Sequence, residues 1–149
     1  SARAVIPTVI TQIANGAKQL KLGAVIPTRD FSYVQDTVDA FIATLKSDKG
    51  LGETVNFGSN FEISISDVAA LIAEKMNVKI DIASDTERMR PVNSEVERLW
   101  ADNSKVKELF GWSPKYVGRD GLARGIQETI NWFIEPENLK HFKSDIFNI

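Results

Sequence analysis

The 149-residue chain contains no cysteine. That excludes disulfides, thiolate metal sites and cysteine nucleophiles, and it is compatible with a reducing compartment. A single histidine, His141, leaves little imidazole for metal binding or acid–base work. Neither sign of charge dominates: 18 Lys and Arg against 20 Asp and Glu give a formal net charge of -2, and the basic residues are scattered. Such a chain has no overall field for a polyanion, so no nucleic-acid partner is expected. No apolar run approaches the roughly 20 residues that span a bilayer, and Ser1-Ala2-Arg3-Ala4 lacks the pattern of a signal peptide. A soluble, cytoplasmic chain with no membrane partner is expected. What is there, 43% hydrophobic and 26% charged residues, is the composition of one globular domain with one core. The first residue is not Met and a helical pattern opens at Val5-Ile6-Pro7, which leads us to expect a chain cut from a longer one.

Val5, Ile6, Val9, Ile10 and Ile13 recur at helical spacing, with Pro7 suited to a first turn and Gly16 to a stop, predicting a helix of about three turns. Leu20 and Leu22 alternate with lysines as in an edge strand, and residues 29 to 34 are short and β-prone. Val38, Phe41, Ile42 and Leu45 fall at i, i+3, i+4 and i+7, an amphipathic helix with Asp36 near its positive N-terminal end. Gly50 to Gly52 mark a turn, Thr54 to Phe57 a strand, Gly58-Ser59-Asn60 another turn, and residues 61 to 65 an extended stretch. Ser66 is the expected cap of a helix carrying Val68, Leu71, Ile72 and Met76 inward, and Val78, Ile80 and Ile82 predict a half-buried strand.

Residues 84 to 97 are polar, contain Pro91 and read as a long loop, a kind of segment that is often functional in compact domains. Leu99 to Ala101 are expected to be extended, and Asp102 to cap a short helix through Lys105 to Phe110 that stops at Gly111. A last long helix begins near Asp120, carries Leu122, Ile126, Ile130 and Phe133 inward, and ends before Pro136. Residues 137 to 149 form a tail with no clear period. The predicted fold class is α/β in content: a small mixed domain of helices and short strands over residues 1 to 149, without a complete doubly wound sheet.

Four blocks in order then point to a family. They are Val5-Ile6-Pro7; Arg29-Asp30-Phe31-Ser32-Tyr33-Val34-Gln35-Asp36; Val55-Asn56-Phe57-Gly58 followed by Ile63-Ser64-Ile65; and Arg90-Pro91 through Trp100-Ala101-Asp102-Asn103-Ser104-Lys105 to Leu109-Phe110-Gly111-Trp112-Ser113-Pro114. Together they resemble the C-terminal portion of the extended short-chain dehydrogenases/reductases that act on nucleoside-diphosphate sugars, the NAD-dependent epimerase/dehydratase family. Leu22-Gly23-Ala24, Pro27 to Phe31 and the loop Arg90 to Arg98 are most similar to the 4,6-dehydratases of the legionaminic-acid pathway. The resemblance implies a substrate-binding portion whose NAD-binding Rossmann half lies upstream. It also implies NAD in the whole enzyme, a nucleoside-diphosphate sugar as ligand, and a homo-oligomer. A C4 epimerase of the same family and a non-catalytic sugar-nucleotide-binding module are the alternatives.

A diphosphate calls for several N–H donors in fixed geometry, which arginine supplies better than lysine. The resemblance gives that role to Arg29 and Arg90, gives Glu95 a hydrogen bond from a ribose hydroxyl, and leaves Asn56 between organising a turn and touching substrate. An isolated loop arginine is usually solvated or in a surface ion pair worth about 0–1 kcal/mol. The block context reverses that expectation for Arg29 and Arg90 but not for Arg88 and Arg98. Asp30 and Asp36 are expected to satisfy backbone donors near a helix start, Trp112 to sit in a core, and Tyr33 to be packed. Gly50-Leu51-Gly52 lacks the third glycine of a dinucleotide fingerprint and no helix pattern follows it. Tyr33 is followed four residues later by Thr37 and Tyr116 by Asp120, so neither forms the family's Tyr-x-x-x-Lys pair. No catalytic residue and no NAD site are therefore expected in this chain alone. Val38, Phe41, Ile42 and Leu45 are expected to face a missing partner, with self-association as the substitute.

Overall fold

A computed structural model describes residues 4–89 and 94–142. These residues divide into two compact units, the first built from residues 4–27, 64–89, 94–97 and 126–142, the second from residues 28–63 and 98–125.

In the first unit, helix α1 (Val5–Ala14) packs on α3 (Ile65–Lys75), and strand β1 (Gln19–Leu22) pairs in parallel with β4 (Asp81–Ser84). Val9 and Ile10 of α1, Leu20 and Leu22 of β1, Val68 and Ile72 of α3, and Ile126, Ile130 and Phe133 of α5 (Gly118–Ile134) are buried. The alternation of Leu20 and Leu22 with polar residues thus does turn two leucines inward. Among the described residues β4 is the strand partner of one edge of β1, and its other edge has none. Buried Gln12 closes it: its Nε2 donates to the Lys21 carbonyl at 3.1 Å and its Oε1 accepts the Lys21 N–H at 2.8 Å, as a neighbouring peptide would.

In the second unit, β2 (Thr28–Asp30) lies between β3 (Glu62–Ser64) and β5 (Arg98–Leu99), parallel to β5 with Thr28 opposite Arg98 and Arg29 opposite Leu99. Helix α2 (Val34–Leu45) and helix α4 (Ser104–Phe110) supply Ala40 and Val106 to a small core around Trp112, against which Ala43, Val55, Phe57 and Phe110 pack. Phe57 meets Trp112 edge to face at 5.5 Å, so Trp112 is a core aromatic as expected. Helix α4 stops at Gly111, whose φ of 65° is the left-handed conformation its position predicts.

Several boundaries differ from the sequence reading. The cap of α3 is Ser64, whose Oγ accepts the Asp67 N–H at 3.1 Å, so the helix starts before Ser66. The strand expected from Val78 begins only at Asp81. Helix α3 closes with Asn77 at φ 57° and the Val78 N–H bonded to the Ala73 carbonyl, which commits those residues to the helix end. Asp102 does not cap α4; its Oδ1 accepts the Ser104 N–H at 2.9 Å one position outside the cap. Within 84–97, residues Thr86–Arg88 form a 3₁₀ turn, and beyond Glu135 a short helix α6 (Pro136–Leu139) precedes the rest of the tail. Thr54 to Phe57 form no strand: Val55 and Phe57 do turn toward the core, but among the described residues no strand pairs with their backbone. Alternation marks the apolar side of a segment, whereas a strand also needs a partner.

Candidate functional site

Arg29 is the middle residue of the central strand β2, a position fixed from both sides by the three-stranded sheet. Its Nη1 donates to the Thr28 carbonyl at 2.7 Å, and it is half-buried. The next residue, Asp30, braces this strand. Its Oδ1 accepts from the Ser59 N–H at 2.8 Å and the Ser59 hydroxyl at 2.6 Å, and its Oδ2 accepts from the N–H of Asn60 at 3.0 Å and of Ala101 at 3.3 Å. Asn60 holds the left-handed position of that turn, at φ 57°. One carboxylate therefore ties β2 to the 58–60 turn and to the residues following β5. Asp30 and Asp36 are structural, as expected, but their donors are not at a helix start. Buried Asp36 accepts the N–H of Lys115 at 2.8 Å and of Tyr116 at 2.9 Å, pinning α2 to the loop before α5.

On the same sheet Glu62 receives the Thr28 hydroxyl at 2.7 Å and the Arg98 guanidinium, whose Nε lies 2.8 Å from each carboxylate oxygen. The guanidinium hydrogen bond, then that of Thr28, holds the Glu62 carboxyl below the usual glutamate range, and the same pairing raises Arg98. Arg98 also lies over the Trp100 ring at 5.1 Å. Arg98 is thus engaged in a surface ion pair, as expected, whereas Arg88 pairs with Asp85 at 3.0 Å in a largely buried setting. Tyr33 is packed, its ring 4.4 Å from that of Tyr116, with Gly125 against its face.

The sequence-predicted site residues fall as follows. Arg29 and Asn56 belong to the second unit and Glu95 to the first, while Arg90 lies outside the described residues. Glu95 is half-buried. Asn56 is exposed, and the turn it was expected to organise is held by Asn60 and Asp30. Asp30, Asp36 and Glu62 carry the bracing, over separations of 29 to 80 residues that no local pattern reports.

The same geometry tests what could hold NAD. Gly50 and Gly52, both at φ 78°, form a turn closed by the Glu53 N–H on the Gly50 carbonyl, and no helix follows. A dinucleotide pyrophosphate rests on a helix N-terminus after such a turn, so these residues do not fit it. Among the described residues no three His, Cys, Asp or Glu side chains gather to hold a metal, and no helix is long and apolar enough to cross a membrane.

Comparison with known proteins adds the family. Residues 2–125 match the model described as GDP-mannose 4,6 dehydratase. The chain is 34% identical to the dTDP-D-glucose 4,6-dehydratase of Homo sapiens over 94% of this chain and 39% of that protein. Among solved structures it is similar to the dTDP-glucose 4,6-dehydratase of Bacillus anthracis in complex with NAD, at TM-score 0.73 and 28% identity, covering 90% of this chain and 40% of that one. It is likewise similar to the UDP-glucuronic acid 4-epimerase of Bacillus cereus in complex with UDP-glucuronic acid and NAD, at TM-score 0.74 and 26% identity, covering 89% and 40%. The chain spans about two fifths of the length of these relatives. With its four motif blocks, its mixed helix-and-strand fold and a family match over most of its length, the chain belongs to the GDP-mannose 4,6-dehydratase family of sugar-nucleotide dehydratases and epimerases.

Proposed function

We propose that this chain is the C-terminal, sugar-nucleotide-binding part of an NAD-dependent sugar-nucleotide 4,6-dehydratase. The observation that carries this reading is Arg29 on the braced central strand, within the block that resembles the family's diphosphate contact. In this reading Arg29 and Arg90 hold the diphosphate, Glu95 accepts from a ribose hydroxyl, and Asn56 lies at the edge of the substrate. A C4 epimerase is the second reading, favoured by the similarity to the Bacillus cereus enzyme. NAD, when bound in the whole protein, supplies reversible hydride removal at the sugar; the part of this chain is to bind and orient the diphosphate end.

The NAD-binding portion is the partner this reading requires, and the outer face of α2 supports it. Phe41 is 60% exposed and Leu45 85% exposed, and Val34, Val38 and Ile42 are exposed beside them, an apolar stripe fit to pack on another body. The same stripe favours self-association of the chain when that portion is absent.

Two charge-assisted contacts of about 1.5–3 kcal/mol each give roughly 3–6 kcal/mol, against about 4 kcal/mol for a millimolar dissociation constant. Titration of UDP, GDP, CDP and dTDP into the chain, followed by amide NMR shifts, is expected to show millimolar binding with shifts at Thr28 to Asp30. Submicromolar affinity, or shifts that leave those residues untouched, would contradict the placement of the site.

A further inference from the structure

Arg29 stands between two anchored neighbours. Successive side chains of a strand leave opposite faces, so Thr28 and Asp30 share the face that Arg29 does not use. Thr28 is fastened there by its hydroxyl to Glu62 at 2.7 Å, and Asp30 by four hydrogen bonds from Ser59, Asn60 and Ala101. Two further residues build the seat of the Asp30 carboxylate. The first is buried Gly58. A Cβ there would lie 2.4 Å from the Ala101 Cβ and 2.9 Å from Asp30 Oδ2. Any side chain would therefore push apart the turn that supplies the Ser59 and Asn60 N–H groups and the segment that supplies that of Ala101. The second is Asn103, which holds the N-cap position of α4 without capping it. An asparagine cap stabilises a helix by about 1 kcal/mol. Here the side chain is turned to the other segment instead, its Nδ2 donating to the Gly58 carbonyl at 3.1 Å. Gly58 lets the two segments approach, Asn103 fastens them, and the Asp30 carboxylate binds both through charge-assisted hydrogen bonds. All of these residues lie within the second unit.

We propose that Gly58 and Asn103 are positioning residues for the diphosphate contact at Arg29, acting through Asp30: they hold the seat of the carboxylate next to Arg29 and so fix the strand from which its guanidinium extends. The inference rests on the reading above that Arg29 binds the diphosphate. Fixing a binding group beforehand lowers the entropy cost of binding, and small displacements of such a group are costly. Neither Gly58 nor Asn103 is a ligand in this account.

The test uses the 149-residue chain with UDP, GDP and dTDP as probes, dissociation constants read from amide shifts, and the β2 and β3 amides reporting that the sheet is intact. The discriminating variant is Asp30→Asn. It removes a negative charge one residue from Arg29, so electrostatics alone would leave binding of a diphosphate unchanged or tighter. The positioning role demands the reverse, a weakening of roughly threefold or more. Asn103→Ala removes one hydrogen bond and no charge and should weaken binding in the same way; it decides by the same criteria if Asp30→Asn disrupts the sheet. Arg29→Gln should weaken binding as well, and the double variant Asn103→Ala/Arg29→Gln should be no weaker than Arg29→Gln alone, because Asn103 acts through Arg29. Gly58→Ala should follow Asn103→Ala. Adding Ala101→Gly, which removes the contact with the Ala101 Cβ and leaves that with Asp30, should not restore binding, and recovery would overturn the part given to Gly58. Unchanged or tighter binding in Asn103→Ala, or in Asp30→Asn with the sheet intact, overturns the positioning role, and if Arg29→Gln is weakened it leaves the diphosphate reading standing. Weakening in Asn103→Ala that multiplies with that of Arg29→Gln shows an independent contribution and also overturns it. An Arg29→Gln chain that binds like the original removes both proposals.

Discussion

Asp36 has a single task, to accept two backbone N–H groups from Lys115 and Tyr116 in a buried setting. Replacing it with alanine strands both donors, and buried donors without a partner cost about 1–3 kcal/mol each. Asp36→Ala is expected to lower unfolding stability by about 3 kcal/mol in a denaturant titration; a change below about 0.5 kcal/mol, the usual range for a surface substitution, would mean that the loop finds other acceptors. Glu62 answers to a different measurement, because its carboxyl is held low by Arg98 and Thr28. A depressed folded-state value means that its stabilisation is fully present above the unfolded-state value and is lost as pH falls through the folded one. The stability gap between the original chain and Glu62→Gln should therefore be constant near neutrality and close as pH drops below the ordinary glutamate range. A gap that widened on acidification would reverse the sign of the argument. These roles were only partly legible in the sequence. Asp30 and Asp36 stood out as structural carboxylates and Glu62 did not; the donors all three satisfy arrive from distant segments, and a single sequence carries no record of such long-range pairs.

Helices were the most legible elements because their information is local. The stripe of α5 at Leu122, Ile126, Ile130 and Phe133 is buried as its spacing predicts, and the Gly111 stop is where the chain turns left-handed. Strands fared worse for a physical reason: Thr54 to Phe57 have the alternation but no neighbour among the described residues. That segment and α2 are linked through the Phe41 and Phe57 rings, 6.2 Å apart; the one has no strand partner among the described residues, and the other leaves Phe41 and Leu45 exposed. Hydrogen exchange distinguishes a loop from a strand awaiting its partner. The amides of residues 54–57 should exchange far faster than those of β1 and β4 in this chain, and become protected when it is joined to its NAD-binding portion. Equal exchange in both contexts would make 54–57 an ordinary loop.

The chain as a whole belongs to a family of sugar-nucleotide dehydratases and epimerases and spans about two fifths of the length of its relatives. Its charge, composition and lack of cysteine exclude several chemistries, and its motif blocks identify the family that the comparisons then establish. Arg29 was visible only through its block, since one arginine in a β-prone stretch has no distinctive pattern; the sheet and Asp30 explain how that residue is held. The relatives are more than twice its length, and the Gly50–Gly52 turn is not followed by the helix on which a dinucleotide pyrophosphate rests. In the proposed reading this chain contributes the sugar-nucleotide site, and turnover requires the NAD-binding portion. Conversion of UDP-, GDP-, CDP- and dTDP-hexoses should be followed by product analysis for the chain alone, for the chain joined to an NAD-binding portion, and for the joined protein carrying Arg29→Gln. The expected outcome is no conversion by the chain alone, conversion of at least one sugar nucleotide by the joined protein, and a loss of about tenfold or more in kcat/KM with Arg29→Gln, from removing one charge-assisted contact. Turnover by the chain alone, or a joined protein indifferent to Arg29→Gln, would contradict it.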